Sequence, residues 1–222
     1  MTSTTQSSST QRSESLAEYA YNELRDRLIV LAIAPGSPIN DDQMGKELGV
    51  GRTPVREALK RLEVDHLVNV YPRRGTFAAT VDITDLAEIS EIRARLEPLA
   101  AGRAARLSNA GTRAELESLA STLESLQPGD PSQRDVMRYD IQVHRSIYRA
   151  AGSRHLEDTL VRYDNLATRI WCLVLDRLPP VSDHVMEHVE LLRHIVAGRA
   201  DEAEKLALHH VTAFERLVRS VL

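Results

Sequence analysis

Cysteine is almost absent from this chain: Cys172 stands alone among 222 residues, which excludes an intramolecular disulfide framework. The N-terminus has no apolar run resembling a signal-peptide core, so a soluble cytoplasmic protein is the expectation. Basic residues are not in overall excess, and the formal net charge of −4 gives no hint of a nucleic-acid partner. No hydrolase-type motif such as H-E-x-x-H occurs, which leaves a metal-dependent enzyme without an evident general base. What the chain does have is 42% hydrophobic residues, enough to bury a core, and a length that suits two domains.

The charge average conceals a local difference. Residues 52–74 carry six Lys or Arg against three Asp or Glu, whereas residues 81–222 carry 18 against 22. Residues 1–15 are Ser/Thr-rich without apolar periodicity, so they cannot offset their ordering entropy and should form a mobile arm. An amphipathic helix follows over 16–31 and is stopped by "APGSPIN". "DDQMGKELG" reads as a short helix whose first-turn acids complement its dipole. After a turn at 49–51 comes another helix, and "LVNVYPRRGTFAATV" reads as two short strands joined by a Pro-Arg-Arg-Gly turn. Helix, helix, turn, helix and hairpin is the order of a winged helix-turn-helix, here over 16–80, with a linker at 81–85.

The helix within "GVGRTPVREALKRLE" has two faces. At about 100° per residue, Val55, Leu59 and Leu62 share one side, while Arg52, Arg56 and Lys60 project from another. Thr53 and Pro54 suit a helix start, whose unpaired N–H groups favour phosphate. Arginine is well shaped for bidentate contact with guanine in the major groove. A solvated basic face remains the bland alternative. Arg73 and Arg74 beside Gly75 place a second basic point where a wing would reach the backbone or minor groove.

"GVGRTPVREALKRLEVDHLVNVYPRRGTFAA" closely resembles the winged helix-turn-helix of the GntR family of bacterial transcription regulators, whose usual runs are V-S-R-T-P-V-R-E-A-L and, in the wing, P-R-R-G. The resemblance covers about 16–80 and implies that Arg52, Thr53 and Arg56 contact an operator, with Arg73, Arg74 and Gly75 in the wing. Two positions depart from the pattern. Gly51 replaces the usual serine and removes a hydroxyl; His66 replaces a glycine, which costs stability if the backbone there is left-handed.

From 86 to 222 the chain reads as helical throughout, with helices near 84–108, 112–126, 132–151, 154–178, 182–197 and 200–221. Pro98 should bend or locally break the first. Six such helices form a bundle with a central seam, where bundles place ligand and metal sites. Seven of the eight histidines lie here. Asp140 and His144 are four apart and point inward with Val136, Met137 and Ile147. His188 sits among Val185, Leu192 and Ile195, and His210 among Ala203, Leu206, Phe214 and Leu217. His194 falls on the opposite side of its helix, and His209 at an edge.

One histidine on an apolar face is ordinarily a hydrogen-bonded core residue. Four polar groups aimed inward are harder to accommodate without a divalent cation, which satisfies them together. Three His and one Asp suit zinc first, with nickel and manganese as alternatives. His184 competes for a ligand position, and His155 is unassigned. Arg93 lies on the apolar side of its helix while Arg95 points outward; it suits either a small carboxylate shared with the metal or a structural pair with Glu97 or another acid.

The segments "EIRARLEPLAAGRAA", "DIQVHRSIYRAAG", "EHVELLRHIVAG" and "AEKLALHHV" resemble the all-helical FCD effector domain of the FadR branch of the GntR family. Metal-binding members use an Asp-x-x-x-His pair and two later histidines, which carry over to Asp140, His144, His188 and His210. Val143 stands where phenylalanine is common. The resemblance also favours a carboxylate effector.

The expectation is therefore a mainly α protein: an arm at 1–15, a winged helix-turn-helix at 16–80 and an FCD-like bundle at 86–222 for metal, effector and dimerisation. It would be a non-membrane homodimeric repressor on a palindromic operator, controlled by a small carboxylate bound near a divalent metal. A metal-dependent enzyme with an accessory DNA-binding module is the alternative, and a nonspecific architectural DNA binder fits the acidic bundle poorly.

Overall fold

The structure, a computed structural model, describes residues 15–126, 133–179 and 182–222. The expected N-terminal arm lies outside these residues apart from Ser15. That serine caps the first helix, α1 (Leu16–Ile29), its hydroxyl accepting from Glu18 N–H. The helix ends two residues earlier than expected, where Leu31 adopts φ 54°. A two-residue strand, β1 (Pro38–Ile39), leads to α2 (Asp41–Leu48), capped by the Asn40 side chain and stopped by Gly49 at φ 68°. Then come α3 (Arg52–Val64), β2 (Val68–Tyr71) and β3 (Gly75–Ala78).

The three strands form an antiparallel sheet in the order β1-β3-β2, with Ile39 opposite Thr76 and Tyr71 opposite Gly75. β1 is missing from the sequence reading. Two residues carry no alternation, and Pro38 is confined to a sheet edge because it lacks an N–H. Leu24 and Leu28 of α1, Leu48 of α2, and Val55, Leu59 and Leu62 of α3 make the core of this head.

A single 3-10 turn, Ile83–Asp85, joins the head to six helices: α4 (Leu86–Leu107), α5 (Ala110–Glu124), α6 (Gln133–Ala150), α7 (Arg154–Val174), α8 (Ser182–Val196) and α9 (Ala200–Arg219). Here α4 is the central stave, packed on α9, α7, α6 and α8. It runs through Pro98 as one continuous helix rather than breaking there. Packing on α9, α7, α6 and α8 offsets the hydrogen bond that Pro98 cannot make. Trp171, Phe214, Leu192, Ile195 and Met137 lie in the bundle core.

The head sits directly on the bundle. Ile141 of α6 is buried in the head's core, Arg145 of α6 reaches Asp26 of α1 at 3.4 Å, and Arg169 of α7 donates to the Ala79 carbonyl at 2.5 Å. No helix among the described residues is long and apolar enough to cross a membrane.

Candidate nucleic-acid interface and metal centre

On α3 the apolar stripe behaves as its spacing requires. Val55, Leu59 and Leu62 are buried, and Arg52, Thr53, Arg56 and Lys60 are exposed. Gly51 is the N-cap and supplies no side-chain bond, so the first N–H groups of α3 have no hydroxyl partner there. The wing brings Arg74 and Gly75 to the other side of a groove that Arg56 and Lys60 line from α3, and Arg73 beside them is exposed. Arg73 takes φ 65° and Gly75 φ 98°, the left-handed backbone that tightens the hairpin end.

Two of these arginines are already held. Arg52 Nε lies 2.8 Å from Asp42 and Arg56 Nε 2.5 Å from Asp41, and both acids belong to the first turn of α2. The sequence reading took those acids only as partners of the helix dipole. These pairs are solvent-exposed, the arginine side chains being 54% and 59% accessible. They are therefore weak and screened by salt, and a phosphate or base edge can replace them.

Deep in the bundle, α6, α8 and α9 bring Asp140, His144, His188 and His210 together, each offering a ligand atom within 4.8 Å of the others. All four are buried. The imidazoles are oriented from behind. His144 Nδ1 is 3.1 Å from Tyr148 Oη and 3.3 Å from Glu97, His188 Nδ1 is 3.2 Å from the Val185 carbonyl, and His210 Nδ1 is 3.0 Å from Glu187. Each histidine thus has Nδ1 engaged and Nε2 left for the cluster, the arrangement that fixes tautomer and ring direction in metal sites.

Two further features fit a cation. His144 Nε2 and His188 Nε2 face each other at 3.3 Å, close to the about 3.3 Å separating two nitrogens that share a tetrahedral zinc at 2.0–2.1 Å. Asp140 Oδ1 is buried without a hydrogen-bond partner, 3.9 Å from His144 Nε2. A buried carboxylate oxygen without a partner, beside two ring nitrogens that face each other, is costly unless a proton or a cation joins them.

The electrostatics agree. Burial, reinforced by Asp164 and Glu97, lifts Asp140 to about 6 despite His144 and Arg93. Burial alone would lower His144, but Glu97, Asp164 and Asp140 hold it up at about 9. Burial pushes His188 and His210 well below their ordinary value, with His144 and His188 respectively adding repulsion. In the metal-free fold one imidazole therefore carries the positive charge that the acids demand.

Arg93 is buried and inward, as its position on the helix implied, and Arg95 is exposed. Its guanidinium holds Glu97 at 2.5 Å and Asp164 at 3.3 Å. Both oxygens of Asp164 are buried without a geometrically good hydrogen bond. His184 stacks on His210 with ring centroids 4.0 Å apart and belongs to a second group with Glu187 and His210. His155 and His209 are exposed, His209 lining a surface pocket with Glu187 and His210.

The model of the FCD domain matches residues 88–213, and that of the bacterial regulatory proteins of the gntR family matches residues 16–78. This chain belongs to the GntR family. It is a DNA-binding transcriptional regulator built as a GntR winged-helix head with an FCD bundle, and its relatives are regulators rather than enzymes. It is 26% identical over 195 residues to the HTH-type transcriptional regulator YdhC of Bacillus subtilis (strain 168), covering 86% of this chain and 85% of that one. The HTH-type transcriptional repressor RspR of Escherichia coli (strain K12) is 23% identical over 203 residues, 90% of this chain and 88% of that one. The structure of E. coli McbR/YncC superposes with a TM-score of 0.79 at 22% identity, over 93% of this chain and 98% of that one, and so supports the fold.

In this GntR regulator the seven head residues named from sequence are all exposed, Arg56, Lys60, Arg74 and Gly75 lining one groove, and the four polar bundle residues lie together in one buried cluster. What sequence reasoning missed is the supporting shell. Tyr148 falls one turn after His144, a spacing that could have pointed to it. Asp164 reaches the centre from α7 through Arg93, and Glu187, next to His188 on α8, reaches across to His210 of α9.

Proposed function

We propose that this GntR-family regulator is a cytoplasmic homodimeric repressor that binds a palindromic operator and is controlled by a small carboxylate near a divalent cation. Arg52, Thr53, Arg56 and Lys60 would read the major groove, and Arg73, Arg74 and Gly75 would clamp the backbone or minor groove. Asp140, His144, His188 and His210 would hold the cation, with three nitrogens and one oxygen suiting zinc before nickel or manganese.

The observation that supports control is the double role of α6. One side carries Asp140 and His144; the other carries Ile141, buried in the head, and Arg145, paired with Asp26 of α1. A ligand that draws the first side together shifts the second against the helix that packs on α3. The effector would meet Arg93, whose guanidinium is already neutralised by Glu97 and Asp164. An incoming carboxylate must therefore exchange with one of them. Asp164 is the weaker holder, with its 3.3 Å contact and unsatisfied oxygens.

Thermal unfolding in the presence of lactate, malonate and similar small carboxylates tests this reading, with each hit repeated in Arg93→Ala. Stabilisation that vanishes in the variant supports the exchange. Stabilisation equal in both, or none with any carboxylate, removes the carboxylate from the proposal.

A further inference from the structure

A second place in the molecule holds buried polar groups that nothing completes. It is the cleft of about 620 Å³ between the head and the bundle, bounded by α1 and the end of α3 on one side and by α6 and α7 on the other. Arginines crowd it, but most have a carboxylate of their own: Arg61 has Glu18 at 2.6 Å, Arg154 has Asp158 at 3.6 Å, and Arg25 has Asp26 at 2.9 Å.

Two do not. Arg145 reaches only Asp26 and Asn165, each at 3.4 Å, and the Asp26 oxygen it shares is the one Arg25 already holds. Its Nε is buried without a hydrogen-bond partner. Burial and the neighbouring Arg25 both lower its pKa. The Nε of Arg162 is likewise buried and unpartnered, and among the described residues Arg162 makes no ion pair. The two lie close together, because Arg145 touches Asn165, one turn along α7 from Arg162.

Buried N–H donors without acceptors are costly, and guanidinium groups are shaped for oxyanions. We propose that this cleft is a binding site, separate from the metal centre, for a small polyvalent oxyanion: a phosphoryl group or a compact polycarboxylate. Its ligand accepts from Arg145 and Arg162 of the bundle while lying against Arg25 and Tyr21 of the head. An occupant there ties the two parts of the molecule together and adds a second input through α6, which also carries Asp140 and His144.

The test is isothermal titration of the full-length protein with inorganic phosphate, and separately with tricarballylate, at ionic strength kept constant with chloride. Saturable binding of either probe is expected, weakened about tenfold or more in Arg145→Gln and Arg162→Gln and unchanged in the exposed control Arg177→Gln. Binding of phosphate alone assigns a phosphoryl ligand, and of tricarballylate alone a polycarboxylate. If Arg145→Gln does not fold, Arg162→Gln decides by itself. No saturable binding of either probe, or equal binding in Arg162→Gln, overturns the proposal. Each titration is repeated in Arg93→Ala, where a ligand of the cleft binds unchanged and one of the bundle interior is lost, so failure of this proposal and failure of the carboxylate exchange at Arg93 are told apart.

Discussion

The head and the bundle use charge in opposite ways. In the head, Arg52 and Arg56 stand in solvent and hold Asp42 and Asp41 through contacts that water and salt weaken. In the bundle, Arg93, Glu97, Asp140 and His144 are all buried, and each depends on the others for its protonation state. The contrast separates two tasks. A surface that must exchange its partners for DNA needs pairs that are cheap to break. A centre proposed to take up one cation needs groups that are costly to leave alone.

The largest effect should come from the buried side. In His188→Ala, bound metal measured by elemental analysis should fall to background, whereas the exposed His155→Ala keeps it. Losing a cation present at a hundredfold its Kd removes about 2.7 kcal/mol of stability, so melting should fall by about 5–10 °C in a chain of this size. Full metal content in His188→Ala would move the site toward His184 and Glu187.

Next in size is the pH dependence of the same centre. His144 sits at about 9 in the metal-free fold, above its ordinary value of 6.5, so a proton must leave before Nε2 can take a cation. Cation affinity should rise about tenfold per pH unit between about 7 and 9 and then level off. Stability of the metal-free protein runs the other way for this group: its contribution is fully present below 6.5 and lost as pH rises through 9. The depressed His188 and His210 act on the acid side, where the unfolded chain takes up protons that the fold refuses. A chelator-competition titration that is flat in pH would contradict the assignment of His144.

The exposed side should give smaller and more specific effects. Arg56→Ala should lose about 1–3 kcal/mol of discrimination between operator and random duplex, while Arg73→Ala weakens both more evenly and lowers the salt slope. The reverse pattern would exchange reader and clamp. Smallest of all, His66→Gly should raise stability by about 0.5–1 kcal/mol, because His66 is held at φ 59°. An unchanged or lower melting temperature would mean that this histidine is anchored by something other than its backbone.

Much of this was legible in the residues. The 3.6-residue spacing of Val55, Leu59 and Leu62 placed Arg52, Arg56 and Lys60 outside, and the left-handed backbone suspected at position 66 is present. Asp140, His144, His188 and His210 stood out because polar groups on apolar helix faces have few explanations. Strand β1 escaped because two residues have no period, and the pairing of α2 acids with α3 arginines escaped because it joins two elements. Asp164 escaped because its role arises only where α7 meets α4, and Glu187 because its partner His210 lies on the next helix.

The central claim is that a cation held in the bundle governs the DNA-reading head through α6. Its most direct test is operator affinity measured at one fixed salt concentration, with the same preparation stripped of metal and then reloaded. The account predicts a change of at least about fivefold, the lower end of typical coupling between two sites, and the loss of that change in His188→Ala. Identical affinities for the stripped and reloaded protein would contradict it and leave the buried centre a structural support alone.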